Sequence, residues 1–216
     1  GTMGLHAGTI NLSTVWRTFR VRSAFCLGRY RPASAARESC GFDRDRTLER
    51  IRETEMEPTK PVPELLQDST DPDNPTAEAL VSLLEGVKRI AVVGMSRNPQ
   101  KAARRVPSYL ASKGYEIIPV NPTADRILGR PALDCLDDIP EPVDMVLVFR
   151  PSKDAARVME KAMGRPERPA IWLQEGILAP EVAARARSEG ITVVQDLCAY
   201  KVHAAYTGEP TAITPA

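Results

Sequence analysis

Apolar and polar positions alternate regularly from about residue 76 to residue 207. Short apolar runs, each suited to one buried strand, occur at about residues 89–94, 115–120, 143–149, 169–173 and 191–195. Helical spacing of apolar residues occurs between them, at about residues 102–113, 152–163 and 178–189. A glycine follows each of these helical stretches, as is common at helix ends. The pattern predicts strands that alternate with amphipathic helices.

This alternation is typical of a parallel sheet, because a helix usually carries the chain back between two parallel strands. We predict an α/β fold, a doubly wound domain of five parallel strands with helices on both faces, over about residues 76–207. The expected strand order is 3-2-1-4-5. Residues 121–142 are less regular and predict a turn with a short helix near Leu136 to Ile139.

Two further helices are predicted at the ends of this domain. Thr76 has the side chain of a helix N-cap, and Glu78 follows in the first turn of a helix that ends at Gly86. Residues 199–206 predict a short helix after the last strand. Residues 208–216 are predicted to be a C-terminal tail.

Residues 1–75 differ from the rest and are predicted to be a disordered or irregular extension and linker. The Arg-rich, acid-free start allows a transit-peptide-like segment. We favour an extension without a fold of its own, in which Met56 is a plausible initiator. Residues 43–55 allow a short helix, and the prolines of residues 57–75 predict a linker or extended arm.

The composition narrows the classes of protein to which the chain can belong. Its 216 residues carry a formal net charge of +1, but residues 1–37 hold six Arg and no acid, which leaves −5 for the remainder. That sign argues against a nucleic-acid-binding surface. Four Cys without a C-x-x-C pair and two His argue against a zinc site and favour a cytoplasmic location. No apolar run reaches about 18 residues, so no membrane span is expected.

The end of the first predicted strand has the residues of a phosphate site. Gly94 lacks a Cβ that would hinder a ligand, and the N–H groups at the start of the next helix can face an anion. Four cationic side chains follow within this turn and helix: Arg97, Lys101, Arg104 and Arg105. Charge-assisted bonds to phosphate are strong, so a polyphosphate ligand is the first hypothesis.

This loop does not match the dinucleotide fingerprint G-x-G-x-x-G. Ser96 and Pro99 stand where the second and third glycines would be. Asn121 and Pro122 end the second strand, where an NAD-binding domain has an acid for the ribose. Both departures weigh against a nicotinamide dinucleotide, which is kept as an alternative.

Six blocks of sequence then point to one family. They are VVGMS at residues 92–96, GYEIIPVNP at 114–122, LG at 128–129, VDMVLVFR at 143–150, IWLQEGI at 171–177 and VVQDLC at 193–198. Together they resemble the stand-alone coenzyme A-binding protein family, which is similar in fold to the N-terminal domain of the succinyl-CoA synthetase alpha subunit. The resemblance covers about residues 76–207 and implies a Rossmann-like fold.

The resemblance implies a site for coenzyme A or an acyl-CoA. The residues that it implies are, near the phosphates, Gly94, Met95, Ser96, Arg97, Lys101, Arg104 and Arg105; near the adenosine, Asn121, Pro122, Phe149 and Arg150; and near the pantetheine arm, Trp172, Gln174 and Gly176. The chain departs from the family at Ala103 and Arg104, where a Ser-Tyr or similar pair is frequent.

Some residues have a simpler structural interpretation. Asn121 and Pro122 also suit a plain turn, and Trp172 on its apolar strand is favoured as a core residue. Cys198 is favoured as a small buried side chain, with a mixed disulfide to the coenzyme thiol as the alternative. His203 is predicted at the surface rather than in a catalytic role.

The leading hypothesis is therefore a coenzyme A-binding protein that acts as a carrier, sensor or regulatory partner. We predict no catalytic residue and no metal ligand, and we expect a small-molecule ligand, no nucleic acid and no membrane partner. A protein partner or a homo-oligomer is compatible with the sequence. The alternatives are a ligase-like subunit of acyl-CoA or succinyl-CoA type that needs a partner chain, an NAD(P)-binding protein, and a protein-interaction module.

Overall fold

The computed structural model describes residues 60–209. In chain order its helices are α1 Val62–Asp68, α2 Ala77–Gly86, α3 Ala102–Ser112, α4 Ser152–Met163, α5 Pro180–Ser188 and α6 Ala199–Thr207. Its strands are β1 Arg89–Val93, β2 Glu116–Val120, β3 Arg126–Ile127, β4 Arg130–Pro131, β5 Met145–Val148, β6 Ala170–Leu173 and β7 Val193–Val194. A short 3₁₀ turn covers Leu136–Asp138. None of the described helices is long and apolar enough to span a bilayer.

Five of the strands form one parallel sheet in the order β2-β1-β5-β6-β7. Side chains alternate between its two faces, as the strand period requires. Val92, Leu147 and Trp172 pack with α1, α2, α3 and α6. Val146 and Ile171 pack with α4 and α5 on the opposite face. The predicted α/β fold, with five parallel strands and helices on both faces, is confirmed.

The predicted strand order is wrong. Counting only the strands of the parallel sheet, the observed order is 2-1-3-4-5, because the third of them, β5, pairs with β1 and not with β2. The outer edge of β2 is already occupied by Leu133, whose N–H donates to the Pro119 carbonyl and whose carbonyl accepts from the Asn121 N–H. The chain therefore crosses to the free edge of β1.

The linker predicted for residues 57–75 contains a helix. Val62 and Leu65 of α1 are buried in the same apolar cluster as α2 and α6. Pro61 is the N-cap residue and Pro63 lies in the first turn, where a missing N–H breaks no helical bond. Two of the prolines that suggested an extended arm thus stand where a helix tolerates them. The helix predicted at residues 43–55 lies outside the described residues.

Local helix signals were accurate, but one hairpin was missed. The Thr76 hydroxyl accepts a hydrogen bond from the Ala79 N–H, so the predicted N-cap of α2 is confirmed. The short β3–β4 hairpin has Leu128 and Gly129 in its turn, both with positive φ (54° and 72°). A turn was predicted within residues 121–142, but the two-residue strands on either side of it are too short to leave a periodic pattern.

Candidate functional site

The direction of chain crossing changes between β1 and β5, at the carboxyl end of the sheet. In open α/β sheets, ligands bind in the crevice at such a switch point. Gly94 follows β1 with φ +84°, and Arg150 follows β5. A Cβ on Gly94 would lie 2.9 Å from Arg150 Cδ, so the missing Cβ admits the arginine stem. The guanidinium of Arg150 then pairs with Asp154 in the first turn of α4 at 3.2 Å.

The loop after Gly94 is held by its own hydrogen bonds. The Ser96 hydroxyl accepts from the Asn98 N–H at 3.1 Å, and Asn98 Oδ1 accepts from the Gln100 N–H at 2.9 Å. The Ser96 N–H donates to the Ala103 carbonyl at 3.1 Å. These contacts shape the loop.

Asn121, at the end of β2, braces the same loop from the neighbouring strand. Its Nδ2 donates to the Met95 carbonyl at 2.7 Å, while its Oδ1 accepts from the N–H and the hydroxyl of Thr123 at 2.8 Å. The side chain therefore forms a turn and positions the Met95 backbone at the same time. Pro122 beside it is exposed.

The start of α3 has features that suit an anion. No side chain caps this helix, and its first turn contains no acid, whereas α2, α4 and α5 carry Glu78, Asp154 and Glu181 there. Arg97 and Lys101 are exposed, and their side chains have no hydrogen bond or ion pair within residues 60–209. The positive end of the helix dipole and two uncommitted cations thus lie along one loop.

The other two predicted cations are differently placed. Arg104 is half-buried, and its Nη1 donates to the Ser108 hydroxyl one turn further along α3 at 2.6 Å. Arg105 is also half-buried. The four cations that the sequence groups together therefore divide into an exposed pair and a half-buried pair.

Several of the apolar residues proposed for the site belong to the core. Met95 and Trp172 are fully buried, and the indole Nε1 of Trp172 donates to the Leu197 carbonyl at 2.7 Å. The favoured interpretation of Trp172 as a core residue is confirmed. The Met95 side chain packs into the core, and only its backbone lies in the loop, where the carbonyl accepts the hydrogen bond from Asn121. Phe149 is partly buried against the same cluster.

Gln174 and Gly176 follow β6 at the same edge of the sheet. Gln174 is 5% exposed, and its buried Nε2 has no hydrogen-bond partner in the described structure. An unpaired buried amide N–H is costly, so the position suits a ligand acceptor. Gly176 has φ +79° and donates its N–H to Asp196 Oδ1 at 2.6 Å. Sequence analysis assigned Asp196 no role, although it directly follows a predicted strand.

Two residues with reactive side chains, Cys198 and His203, are shaped by burial. Burial raises the pKa of the Cys198 thiol, which keeps it protonated and poorly nucleophilic. His203 is 5% exposed, so its predicted surface position is wrong. Its Nδ1 lies 3.0 Å from the Tyr109 hydroxyl, and three tyrosine rings surround it edge-on. Tyr206 lies one turn along the same helix, but Tyr109 and Tyr115 are about 90 residues away in sequence, so no local pattern could reveal the burial.

Two clefts of the described surface open at the opposite, amino edge of the sheet. One, of about 370 Å³, is lined by Val87, Lys113, Tyr115 and His203 among others, and a second of about 350 Å³ lies before β5 and β6. Lys113 pairs with Glu209 in the first cleft, and Arg168 pairs with Glu189 in the second. These cationic groups in the clefts are therefore paired. Polar groups without a partner in the described structure, such as Gln174 Nε2, lie at the carboxyl edge, which favours that edge as the ligand site.

Known proteins resemble this chain over the same region. An uncharacterized protein, YneT of Bacillus subtilis (strain 168), is 39% identical over 131 residues, which are 61% of this chain and 96% of the relative. A solved structure from Thermus thermophilus matches with a TM-score of 0.56 and 36% identity, covering 60% of this chain and 97% of that one. The ADP-forming acetate–CoA ligase II of Archaeoglobus fulgidus is 33% identical over 91 residues. That match covers 41% of this chain but only 14% of the ligase.

The family assignment agrees with the geometry of the site. The model of a CoA-binding domain matches residues 88–204, which is more than half of the chain and includes every strand of the parallel sheet. The carboxyl-edge loops after β1, β2, β5 and β6 all fall inside the match. The chain belongs to the CoA-binding domain family.

Proposed function

We propose that this protein binds coenzyme A or an acyl-CoA at the carboxyl edge of its sheet. The observation that supports this most directly is the start of α3, which lacks a cap and an acid while Arg97 and Lys101 remain without partners in the described structure. Coenzyme A carries a pyrophosphate and a phosphomonoester, so it requires such an excess of positive charge. Arg104 and Arg105 add charge further along the helix.

The remaining site residues suit the uncharged parts of the ligand. Phe149 and Arg150 after β5, with Asn121 and Pro122 after β2, border the place proposed for the adenosine. Gln174 offers an unpaired Nε2 donor, which fits an amide carbonyl of the pantetheine arm. Gly94, Met95, Ser96 and Gly176 would contribute backbone groups and turns rather than side-chain contacts.

We propose a binding role, as carrier, sensor or regulatory partner, rather than a catalytic one. Neither of the residues best suited to chemistry supports a reaction there, since burial raises the pKa of the Cys198 thiol and keeps it protonated, while His203 lies among tyrosines at the other edge. A cytoplasmic location is part of the proposal and follows from the scattered cysteines. The similarity to a short part of an ADP-forming ligase supports a second candidate, a ligase-like component that works with a partner chain.

Calorimetric titration of the whole chain with coenzyme A, acetyl-CoA, NAD and ATP tests the proposal. We expect coenzyme A and acetyl-CoA to bind and NAD to bind more weakly, because the chain lacks the acid that would hold the NAD ribose. Binding of NAD without coenzyme A would overturn it. Formation of acetyl-CoA from acetate, ATP and coenzyme A only when a partner chain is added would favour the ligase-like candidate.

A further inference from the structure

The 69–74 segment, which precedes the region matched by the family, docks on the end of β7. Within the described residues β7 pairs only with β6, so its other edge is open to hydrogen bonding. The Asn74 side chain fills that edge: its Nδ2 donates to the Gln195 carbonyl at 2.8 Å, and its Oδ1 accepts from the Gln195 N–H at 2.8 Å. These two bonds are the ones that a neighbouring strand would make.

A buried carboxylate strengthens this docking. Asp71 is 9% exposed, and its Oδ2 accepts from Arg187 Nη2 at 2.6 Å and from Gln195 Nε2 at 2.8 Å. Burial alone raises the pKa of Asp71, but these hydrogen bonds outweigh it and hold the pKa below the ordinary value. The segment is therefore attached through a charged network, which is strongly destabilised when one partner is removed.

Asp196, the residue after Gln195, connects the docked segment to the candidate site. Its Oδ2 accepts from the N–H of Thr70 at 3.0 Å and from the Thr70 hydroxyl at 2.7 Å. Its Oδ1 accepts from the Gly176 N–H at 2.6 Å. Asp196 adopts φ +51°, a conformation that Asp and Asn tolerate better than other side chains. One carboxylate thus holds two loops that are far apart in sequence.

The turn that Asp196 holds is the one that contains Gln174 and Gly176. Its other end is held from β7 as well, because Gln195 Oε1 accepts from the Ala179 N–H at 2.7 Å. The Asp196 N–H also donates to the Ile177 carbonyl at 3.3 Å. The turn is exposed at Gly176 and has no neighbouring atom within 4 Å of a Cβ built there, so these bonds supply its order.

We propose that Asp196 is a positioning residue for the ligand site, and that Thr70 and the 69–74 segment are part of the ligand-binding unit. The carboxylate places the Gly176 turn where the Gln174 amide meets the ligand, and Thr70 keeps the carboxylate in place. This inference rests on the proposed function, because the ligand is the coenzyme A of that same site. The segment lies before residue 88, where the family match begins, so the family pattern does not include it.

Substitutions in the full-length chain test this arrangement. Thr70→Val removes the hydroxyl with little change of shape, and Thr70→Ser restores it. Asp196→Asn keeps the backbone conformation and an acceptor for Gly176, but it turns an amide donor toward the Thr70 N–H. The matched control is Thr207→Val, which removes a hydroxyl that donates to the His203 carbonyl at 3.0 Å at the amino edge.

Two measurements are made on each variant, coenzyme A affinity by calorimetry and hydrogen exchange of the Gly176 amide. We expect Thr70→Val and Asp196→Asn each to weaken binding by about three- to tenfold and to accelerate exchange, since each breaks a charge-assisted bond. The double variant should bind only slightly more weakly than the worse single variant, because both changes act on the same pairing of Asp196 with Thr70. Thr70→Ser and Thr207→Val should behave as wild type.

The two proposals fail in different ways. If the wild-type chain does not bind coenzyme A, the proposed function is overturned, while faster Gly176 exchange in Thr70→Val would still support the link through Asp196. If the wild type binds but Thr70→Val matches it in affinity and exchange, the positioning role is overturned. Equal weakening by Thr70→Ser would overturn it too, because the hydroxyl would then be irrelevant.

Discussion

The backbone N–H of Ser96 donates to the carbonyl of Ala103 at 3.1 Å, across the loop that leads into α3. That carbonyl would ordinarily accept from the residue four positions later in the helix. The residue there is Pro107, which lies inside α3 and has no N–H. The proline leaves the carbonyl free for the loop, so a feature that weakens the helix orders the candidate phosphate site.

Pro107→Ala is expected to loosen this loop. The new N–H would compete with Ser96 for the Ala103 carbonyl, and coenzyme A affinity should fall by about three- to tenfold. The free energy of unfolding should change by less than about 1 kcal/mol, because the lost packing of a buried ring offsets the regained helical bond. Calorimetry and urea denaturation measure the two effects. Pro63→Ala in the first turn of α1 is the matched control, and unchanged affinity of Pro107→Ala would contradict the prediction.

Arg97→Ala should weaken coenzyme A binding through lost charge. We expect a reduction of about tenfold at low ionic strength and a smaller one in about 0.5 M salt, because salt screens exposed charges. Titrations at the two salt concentrations check this. Arg157→Ala removes the same charge from an exposed position on α4 and should leave affinity unchanged at both. If Arg97→Ala binds coenzyme A as tightly as the wild type at low salt, Arg97 does not belong to the site.

Gly94→Ala should destabilise the fold and impair binding. The φ of +84° strains any side chain, and the new Cβ would also press on Arg150 and on the backbone of Phe149. We expect a loss of about 1–3 kcal/mol in the free energy of unfolding. Gly190→Ala is the control, since it has φ +81° but no atom within 4 Å of the new Cβ. Because only the new Cβ at residue 94 meets other atoms, the free energy of unfolding should fall more for Gly94→Ala than for Gly190→Ala. Equal losses would show that the backbone conformation alone matters.

The stability of the fold should depend on pH through His203. Burial lowers the pKa of His203 below its ordinary value of 6.5, with Glu209 opposing and Lys113 reinforcing the effect. The unfolded chain therefore binds a proton more readily than the folded one. The contribution of neutral His203 to the free energy of unfolding is fully present above about pH 6.5. It is lost as the pH falls below that value, by at most about 1.4 kcal/mol per pH unit for one proton. Urea denaturation of wild type and His203→Gln between pH 5 and 8 measures this, and equal pH profiles of the two proteins would contradict it.

Much of the fold was predictable from local pattern. The alternation of apolar runs with amphipathic stretches predicted the parallel sheet, since strands buried on both faces must be continuously apolar. Thr76 predicted the start of α2, because an N-cap can be recognised from a single side chain and its neighbours in sequence. Gly94 and the cations after it located the candidate phosphate loop for the same reason: the chemistry of a helix start lies within a few residues.

The candidate site was predictable only in outline. Arg97 and Arg104 look alike in sequence, yet one is exposed without a described partner and the other is tied to Ser108. Met95 stands between two loop residues, yet its side chain is in the core. Which way each side chain points depends on what packs beside it, and that is a property of the assembled domain.

The sequence by itself determined the class of fold, the edge of the sheet where polar groups collect and the family resemblance, because periodicity and short motifs are local. Only the tertiary structure decided the strand order, which depends on Leu133 covering the edge of β2. It also decided the burial of His203 and the docking of Thr70 on Asp196, across 126 residues. Contacts between residues so far apart leave no periodic trace in the chain, since they form only when the elements that carry them pack together.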